Sequence, residues 1–576
     1  MICGSPGTAV PTKRNGNMKK LTTKQGAELP ATPWDIYPRP QMRRGSYVNL
    51  NGQWEFEVTR DKKRPEKYTK QILVPFCTES QLSGVETHFP DGSYLWYRRK
   101  FARPMGCGRV LLHIGAADQI IKCYVNQKEV GYHIGGYTAM TFDITAALGA
   151  ENVLELRVLD DLRTTTMPYG KQVLKRGGMW YTPVSGVWQT VWLECVPETY
   201  IERLVIENRG YGVRVTTVPE MEGTVSVHGL GQFPLGAEIC PENPKLWSPE
   251  EPHLYEMTVC AGGDRVESYF AIRSLEIKEV KGVRRLCLNG KPYFFHGLLD
   301  QGYWPDGIYT PADPSCYAED IAAMKALGFN TLRKHIKVEP EEFYYQCDRL
   351  GMIVFQDMVN NGDYDFLRDT ALPTAGVQKL DDRKLHKDPT TRREFKRCMT
   401  QTVQQLYSHP CICYWTIFNE GWGQFDSDQV YEEFKKLDDT RFIDTTSGWF
   451  RRKKSDVESL HIYFGPWGKL KPADKPLVLS EFGGYTYPVK GHLFNPGKSY
   501  GYKTCKTLED YGQALEKLYR ERIIPAARQG LCAAIYTQVS DVEDEINGLL
   551  TYDRKVSKAD EKTMQAIAEE LKKAVK

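Results

Sequence analysis

Two short motifs place glutamates where carboxylate chemistry is expected. One reads FNEGWG around Glu420 and the other SEFGG around Glu481, and each follows an apolar run typical of a buried strand. Two carboxyl groups about 5–5.5 Å apart can hydrolyse a glycosidic bond by double displacement, one attacking and the other moving the proton. We therefore predict Glu481 as the nucleophile and Glu420 as the general acid and base.

A single glutamate at a strand end is more often a solvated or salt-bridged carboxylate. The coincidence of two such motifs, with Asn419 beside Glu420, favours catalysis over that interpretation. The two groups need opposite protonation states, because the nucleophile must stay ionised while the acid holds its proton near neutral pH.

The elements that would position these residues begin after Asn289. Eight apolar segments there alternate with amphipathic helical segments, and they read PYFFHGL, NTLRKH, MIVFQD, ICYWTIF, RFIDTT, SLHIY, PLVLSE and CAAIYTQ. Helices are predicted at 313–327, 341–350, 392–407, 428–437 and 508–528. Parallel strands need helical crossovers, so this eightfold alternation predicts a (β/α)₈ barrel with its site at the C-terminal ends of the strands.

The first half of the chain predicts β modules. Short alternating segments separated by Gly, Pro, Asn and Asp are typical of β-sandwiches. The predicted fold is a jelly-roll-like sandwich, an immunoglobulin-like sandwich and a C-terminal barrel. The predicted boundaries give a flexible segment 1–27, sandwiches at 28–199 and 200–283, and a barrel at 284–576.

Composition excludes several classes of protein. No apolar run approaches the roughly 18 residues of a membrane-spanning helix. The balance of 76 basic and 73 acidic residues offers no global field for nucleic acid. No secretory signal is visible, and Met18 is a candidate start. The 15 cysteines lack paired spacing, so we expect free thiols and a reducing cytoplasm.

The domain order together with FNEGWG and SEFGG resembles glycoside hydrolase family 2, which contains β-galactosidases, β-glucuronidases and β-mannosidases. The resemblance runs from about Glu28 to the end of the chain. It implies that Asn419 hydrogen-bonds the sugar, that Arg333 orients the nucleophile and that Tyr463 lies beside it. It carries over less directly to His335, two residues beyond Arg333.

Other polar and aromatic residues near strand ends are candidates for binding sugar. Asp300 would grip a hydroxyl, while Trp304, Trp422 and Trp449 would stack on sugar faces, although each is equally compatible with packing. Asp357 is a further candidate. The sandwich-domain residues Lys171, Gln172 and Trp180 are interpreted as interdomain packing rather than substrate contact. The long connection 359–389 is a candidate lid or rim.

The sugar is less well defined by the sequence. The acidic loop 540–548 lacks the Asn-x-Lys pair of the family's glucuronidases and would repel a carboxylate, whereas the basic run Arg451-Arg452-Lys453-Lys454 could favour an anionic substrate if it is more than a solvated loop. The favoured interpretation is an exo-acting, retaining, β-galactosidase-like enzyme. A β-hexuronidase is the alternative within this class.

A non-catalytic carbohydrate-binding protein is the alternative of another class. A metal-dependent barrel hydrolase would need ligand spacings such as HxH or HExxH, which do not occur in the sequence. We expect no cofactor and no catalytic metal, and an oligosaccharide or glycoside as the partner. A homo-oligomer remains open.

Overall fold

The computed structural model describes residues 20–104, 108–374, 376–377, 381–463, 470 and 474–575. The predicted flexible segment 1–27 lies mostly outside this part of the chain. Its last residues differ from the prediction, because Lys24–Ala27 form a short helix capped by Thr23. The Thr23 amide and hydroxyl both donate to Asp306 of the barrel, at 2.7 and 2.6 Å.

The first domain is a β-sandwich made of two antiparallel sheets. Alternation in Gly52–Thr59 buries Trp54 and Phe56 while leaving Gln53 exposed, as expected for strands with one face on a core. The four-stranded sheet contains, in spatial order, Val48–Asn49, Val191–Val196, Arg109–Ile114 and Met140–Asp143. The six-stranded sheet contains Lys70–Val74, Gly52–Thr59, Tyr94–Ala102, Glu151–Leu159, Ile120–Val125 and Lys128–Ile134. A small ladder pairs Ala117–Asp118 with Gly186–Val187.

The second domain is a smaller antiparallel sandwich with its own core. One sheet contains Arg203–Arg209, Gly212–Val218 and Glu238–Ile239. The other contains Gly231–Pro234, Gly223–Val227, Tyr255–Ala261 and Asp264–Phe270.

A three-stranded sheet connects this domain to the barrel. Leu275–Val280, Val283–Leu288 and Lys291–Pro292 pair in sequence, so the predicted boundary between 283 and 284 falls inside one hairpin. Leu286 and Leu288 belong to the core of the barrel, and Arg285 donates to the carbonyls of Ala527 and Leu531. This sheet therefore packs with the barrel.

The barrel strands confirm the predicted architecture. All eight are parallel, and they are Phe295–Asp300, Thr331–Lys334, Ile353–Asp357, Ile412–Asn419, Phe442–Ser447, Glu458–Ile462, Leu477–Gly483 and Leu531–Thr537. The ladder runs five-four-three-two-one-eight-seven-six, so among the described residues only the junction between the fifth and sixth strands lacks a ladder. A contact between the Ser447 and Ser459 hydroxyls, 3.4 Å, spans that junction.

The helices follow the predicted pattern with one departure. They are Ser315–Ala326, Glu341–Leu350, Pro389–Leu406, Ser427–Lys435, Leu508–Leu518, Ile524–Gln529 and Glu561–Ala574, with a wide turn at Tyr519–Ile523 and short turns at Thr145–Ala147, Leu367–Ala371, Leu372–Thr374 and Asp382–Lys384. Thr507 and Asp510 form a reciprocal capping box that fixes one helix start. Residues 448–457 join the fifth and sixth strands without a helix, so the alternation is not strictly eightfold.

The sandwich and the barrel share one continuous core. Trp188, Tyr181 and Val184 of the first domain belong to the same buried cluster as the barrel strands. None of the helices in the described part of the chain combines the length and the apolar character needed to span a membrane.

The cysteines differ from the prediction at one position. Cys195 is disulfide-bonded, and its partner lies outside the described residues. The other described cysteines are free thiols, most of them buried.

Candidate active site

The two predicted catalytic carboxylates lie together at the C-terminal mouth of the barrel. Glu420 follows the fourth strand directly, and Glu481 lies near the end of the seventh. A carboxylate oxygen of each lies within 4.8 Å of the other. The side chains are only 11% and 6% exposed. Glu420 adopts a left-handed φ of 51°, a strained conformation of the kind retained at functional sites.

Glu481 is surrounded by donors. Arg333 Nη1 donates to its Oε1 at 3.0 Å, and the Tyr463 hydroxyl donates to its Oε2 at 2.5 Å. Burial alone would raise the pKa of this carboxyl. The adjacent His461 and Arg333 outweigh burial and lower that pKa to about 2, so Glu481 is ionised at neutral pH.

Arg333 links the carboxylate to its neighbours. Besides Glu481, it donates to Asp357 at 2.9 Å and to the Asn419 side-chain oxygen at 2.8 Å. Burial would lower the pKa of this guanidinium, but the charges of Asp357 and Glu481 raise it above its usual value. The contact fixes the orientation of the Asn419 amide, whose buried Nδ2 has no partner among the described residues. That nitrogen is available to donate to a ligand.

His461 joins the two carboxylates, and sequence reasoning missed it. Its Nδ1 lies 2.7 Å from Glu420 Oε1, and its Nε2 lies 3.6 Å from Glu481 Oε1 and 3.0 Å from the Ser447 hydroxyl. The available signal was its position two residues before Tyr463, which directly follows the same strand, because such a spacing places both side chains on one face.

The remaining residues implied by the family resemblance also reach the mouth. Tyr463 contacts the Thr537 hydroxyl at 2.9 Å, and its ring stacks on Tyr502 with centroids 3.9 Å apart. His335 Nδ1 lies 2.7 Å from Asp357, although burial lowers the pKa of this imidazole to about 4. His335 is therefore neutral near pH 7.

Two of the predicted tryptophans adjoin the carboxylates. Trp422 contacts the His335 ring, with centroids 6.4 Å apart, and Trp449 contacts the His461 ring at 5.7 Å. Both indole N–H groups are buried without a partner among the described residues. These two rings are placed to line a sugar site.

The structure does not bring Asp300 or Trp304 into this group. Asp300 pairs in register with Lys334 and accepts its ammonium at 2.6 Å, while Lys334 also reaches Glu339 at 2.9 Å. Because alternate residues of a strand face opposite sides, Arg333 points into the barrel while Lys334 and Asp300 face the helix layer. Trp304 contacts Tyr317 of the first helix, so the predicted sugar contacts at Asp300 and Trp304 are wrong.

A loop of the first domain reaches the same mouth. Trp180 lies 5.2 Å from Trp422, centroid to centroid, and Lys171 Nζ lies 4.7 Å from the centroid of the Trp422 ring. Gln172 departs from the prediction of interdomain packing, because its amide donates to Asp118 and Tyr137 within the first sandwich. Lys171 and Trp180 instead adjoin the active-site residue Trp422. Tyr364, in the connection 359–389, completes this aromatic group.

The acidic loop after the eighth strand is largely neutralised by protein cations. Asp541 accepts Lys558 Nζ at 2.6 Å, and Arg176 lies 3.5 Å from Glu543 and 3.3 Å from Asp544. The predicted repulsion of an anionic substrate is therefore weakened at these three residues, whereas Glu545 has only the neutral partners Tyr181 and Asn547 among the described residues.

The basic run after the fifth strand is engaged at the barrel exterior. Lys454 Nζ donates to Glu432 at 2.6 Å, Arg452 lies 3.9 Å from Asp428, and Arg451 pairs with Glu458. Glu432 and Asp428 belong to the helix Ser427–Lys435. These contacts favour the interpretation of the run as a solvated surface loop.

Within the described part of the chain, one cluster has metal-ligating side chains close together, and it consists of Glu420, His461 and Glu481. Each already has hydrogen-bond partners inside the site. Its chemistry suits proton and glycosyl transfer as well as it would suit a cation.

The chain is similar to known proteins both in sequence and in fold. A family model described as the glycosyl hydrolases family 2 TIM barrel domain matches residues 278–572, and a second family 2 model matches residues 196–273. A β-galactosidase of Thermoanaerobacter pseudethanolicus is 24% identical over 441 residues, covering 69% of this chain and 55% of that protein. A β-glucuronidase of Bacteroides fragilis is 22% identical over 416 residues, covering 65% of this chain and 56% of that protein.

The solved structure of a β-D-glucuronidase from Dictyoglomus thermophilum superposes with a TM-score of 0.72 at 17% identity, covering 93% of this chain and 98% of that one. This likeness concerns the fold. The chain spans about half the length of the curated relatives it matches. Since the family 2 models together match residues 196–273 and 278–572, including both catalytic motifs, the chain belongs to glycosyl hydrolase family 2.

Proposed function

We propose that the protein is a retaining, exo-acting β-glycosidase that removes a terminal β-linked sugar by double displacement. One observation carries this proposal. Two buried carboxyl groups have oxygens within 4.8 Å of each other, and only one of them, Glu481, is held by an arginine and a tyrosine. A short separation leaves no room for a water between the carboxylate and the sugar, which favours retention over inversion.

In the first half-reaction, a Glu481 oxygen attacks the anomeric carbon and forms a glycosyl ester as the bond to the leaving oxygen breaks. Glu420 donates its proton to that oxygen. In the second half-reaction, Glu420 takes a proton from water, whose oxygen displaces Glu481 from the anomeric carbon. The low pKa of Glu481 keeps the attacking group ionised.

Neighbouring side chains would support both steps. Asn419 Nδ2, unpartnered among the described residues, would donate to a sugar hydroxyl, while Arg333 holds Glu481 and the Asn419 amide in place. His461 lies between the two carboxyl groups, so its imidazole would couple a change in the charge of one carboxyl group to the other.

The names of the relatives leave two candidate sugars. A β-galactosidase-like activity is supported by the β-galactosidase relative, and a β-hexuronidase activity by the β-glucuronidase relative. The cation partners of Asp541, Glu543 and Asp544 weaken the predicted repulsion of a uronide. A panel of aryl β-galactoside, β-glucuronide, β-galacturonide and β-mannoside would separate these candidates.

Substitution of the nucleophile tests the proposal. We expect Glu481→Gln to lower turnover of activated aryl glycosides at least about 10⁴-fold, because the amide cannot form the ester. A 2-fluoro glycosyl fluoride of the preferred sugar should label the wild-type protein at Glu481, as detected by mass spectrometry of its peptides. Normal turnover by Glu481→Gln would end the proposal.

The acid and base role has a separate test. In Glu420→Ala, aryl glycosides with good leaving groups should still form the ester, and slow turnover should be restored by azide, which needs no general base. A glycosyl azide of retained β configuration is the expected product. A non-catalytic carbohydrate-binding protein would hydrolyse none of the panel.

A further inference from the structure

The ammonium of Lys171 has no acceptor among the described residues, although the side chain as a whole is largely buried. The residue is 6% exposed, and its ammonium has no hydrogen bond and no ion pair with any described residue. Its described contacts are with aromatic rings, with Nζ 4.7, 5.8 and 6.0 Å from the centroids of Trp422, Trp180 and Tyr181. Aromatic faces compensate a positive charge only in part, so this ammonium can still pair with an anion that enters the mouth.

The nearby carboxylates do not fill this role. Glu545 is the acidic group that acts most strongly on Lys171, but no ion pair within 4.0 Å joins the two side chains, and the Glu545 oxygens accept the Tyr181 hydroxyl and, at 2.9 Å, the Asn547 amide. Glu481 and Glu420 also act on the ammonium, yet neither lies within 4.0 Å of it. Burial outweighs these three charges and lowers the pKa of Lys171. Because neither Glu481 nor Glu420 contacts the Lys171 ammonium, a ligand can bind between them.

The loop that carries Lys171 is held on both sides. The Tyr169 amide donates to the Asn360 carbonyl at 3.1 Å, and the Tyr169 hydroxyl donates to the Gly362 carbonyl at 2.9 Å. Gln172 is fixed to Asp118 at 2.7 Å. With both neighbours anchored, the ammonium is preorganised at the mouth, which lowers the entropic cost of binding.

Other cations around the mouth are already paired. Arg333 is bound to Glu481 and Asp357, Arg176 lies between Glu543 and Asp544, and Lys558 is bound to Asp541. Lys171 is therefore the described cation beside Trp422 whose charge and N–H donors are available to bind an anion. A sugar hydroxyl could accept a hydrogen bond from it but would leave the charge uncompensated, whereas a carboxylate provides both.

We infer that Lys171 is the specificity-determining residue that binds the carboxylate of a terminal β-linked hexuronic acid. The inference rests on the proposed function and names its substrate class. This inference assigns recognition of the uronate carboxylate to the first domain. The loop after the eighth strand contributes Glu545 and Asn547 close to the same place, and neither side chain is a cation.

The test compares uronides with a neutral sugar in the full-length protein. We expect the wild type to prefer 4-nitrophenyl β-D-glucuronide or β-D-galacturonide over the β-D-galactoside by at least about 10²-fold in kcat/KM. Lys171→Met should lower kcat/KM for the uronides at least about 10²-fold, mainly through KM, and change the galactoside value less than about 3-fold. The matched control is Lys175→Met, an exposed lysine of the same loop, which should leave both values unchanged.

A second measurement does not depend on a folded variant. Free glucuronate or galacturonate should inhibit the wild type at lower concentration than galactose does. Equal loss on uronides and galactoside in Lys171→Met, or a wild type that prefers the galactoside, would overturn the inference and leave the glycosidase proposal standing. If no aryl glycoside is hydrolysed and no 2-fluoro sugar labels Glu481, the proposed function itself fails.

Discussion

At the scale of single residues, the site separates two carboxyl groups by what each one touches. Glu481 accepts an arginine and a tyrosine, whereas the described partner of the Glu420 carboxyl is the His461 imidazole. Opposite-charge contacts and donated hydrogen bonds stabilise the ionised form of Glu481. Roles in catalysis follow from these neighbours, since the two side chains are chemically identical.

Removal of the tyrosine hydroxyl tests this asymmetry. In Tyr463→Phe, Glu481 loses its 2.5 Å donor, so its pKa should rise and the acid limb of kcat/KM should move to higher pH. We also expect kcat to fall about 10- to 100-fold on an activated aryl glycoside. Tyr132→Phe, at an exposed tyrosine, is the control. An unchanged acid limb would show that the hydroxyl does not tune Glu481.

The imidazole between the carboxyl groups gives another prediction. His461→Asn should lower kcat at least about 10-fold with little change in KM, because the substitution removes the contact between the two reacting groups without removing a predicted sugar contact. Pre-steady-state measurement of both half-reactions would show the effect. A change confined to KM would instead assign His461 to sugar binding.

At the scale of elements, the first barrel strand depends on a neutral histidine. His296 Nδ1 lies 3.2 Å from the Gly328 carbonyl, and its Nε2 lies 3.1 Å from the Tyr519 hydroxyl. Burial lowers the pKa of this imidazole from 6.5 to about 3. The unfolded chain therefore binds more protons at this position between those values, so its contribution to stability is present above pH 6.5 and is lost as the pH falls.

Acidification should reveal this contribution. From pH 7 to pH 5 the wild type should lose about 2 kcal/mol more unfolding free energy than His296→Gln, since glutamine does not titrate. Urea unfolding at both pH values measures the difference. Equal losses in the two proteins would mean that the pKa of His296 is the same in the folded and the unfolded chain.

The sandwich loop makes a second prediction at this scale. Gly170 has φ of 67°, and a side chain there would place Cβ 2.9 Å from the Tyr137 hydroxyl and 3.1 Å from the Ile336 carbonyl. Gly170→Ala should displace the loop and raise KM at least about 10-fold. Gly229→Ala is matched, because its φ of 77° carries similar strain while nothing lies within 4 Å. Similar KM values in the two variants would contradict this role.

At the scale of the whole molecule, buried charges join the domains. Arg44 binds Glu194 of the first sandwich at 3.1 Å and Asp264 of the second at 2.7 Å. Arg273 donates to the carbonyls of Pro410 and Ile412 in the barrel, at 2.9 and 2.8 Å. Such contacts couple the domains, because separating them would strand charged groups.

Loss of the shared arginine should destabilise the whole chain. We expect Arg44→Ala to lower the free energy of unfolding by about 3–5 kcal/mol, since Asp264 would remain buried without its cation and Glu194 would keep only Arg39 of its described arginine partners. Arg109→Ala, at an exposed pair with Asp143 and Glu198, should cost much less, because solvent and salt screen an exposed ion pair. Both variants should keep wild-type kcat when folded, and unfolding monitored by two probes gives the comparison.

The sequence predicted the barrel strands and both glutamates because strand ends and motifs are local signals. The sequence correctly placed Asp300 at the end of a strand, but it did not show which face of the strand carries the side chain. Only the register with Lys334 shows that this side chain points to the helices. The sequence did not indicate that Lys171 lies at the mouth of the barrel, because the position of its loop depends on packing against Asn360 and Gly362, nearly 200 residues away. Long-range contacts of this kind leave no local pattern.

The anchored loop from Tyr169 to Gln172 has a consequence for how such enzymes could be engineered. The reacting carboxyl groups come from the barrel, while the ammonium beside Trp422 comes from the first domain. A chimera that exchanges this loop between two family members could therefore transfer the preferred sugar while the chemistry stays with the recipient. Evolution could use the same route, diversifying one module while the other is kept under constraint.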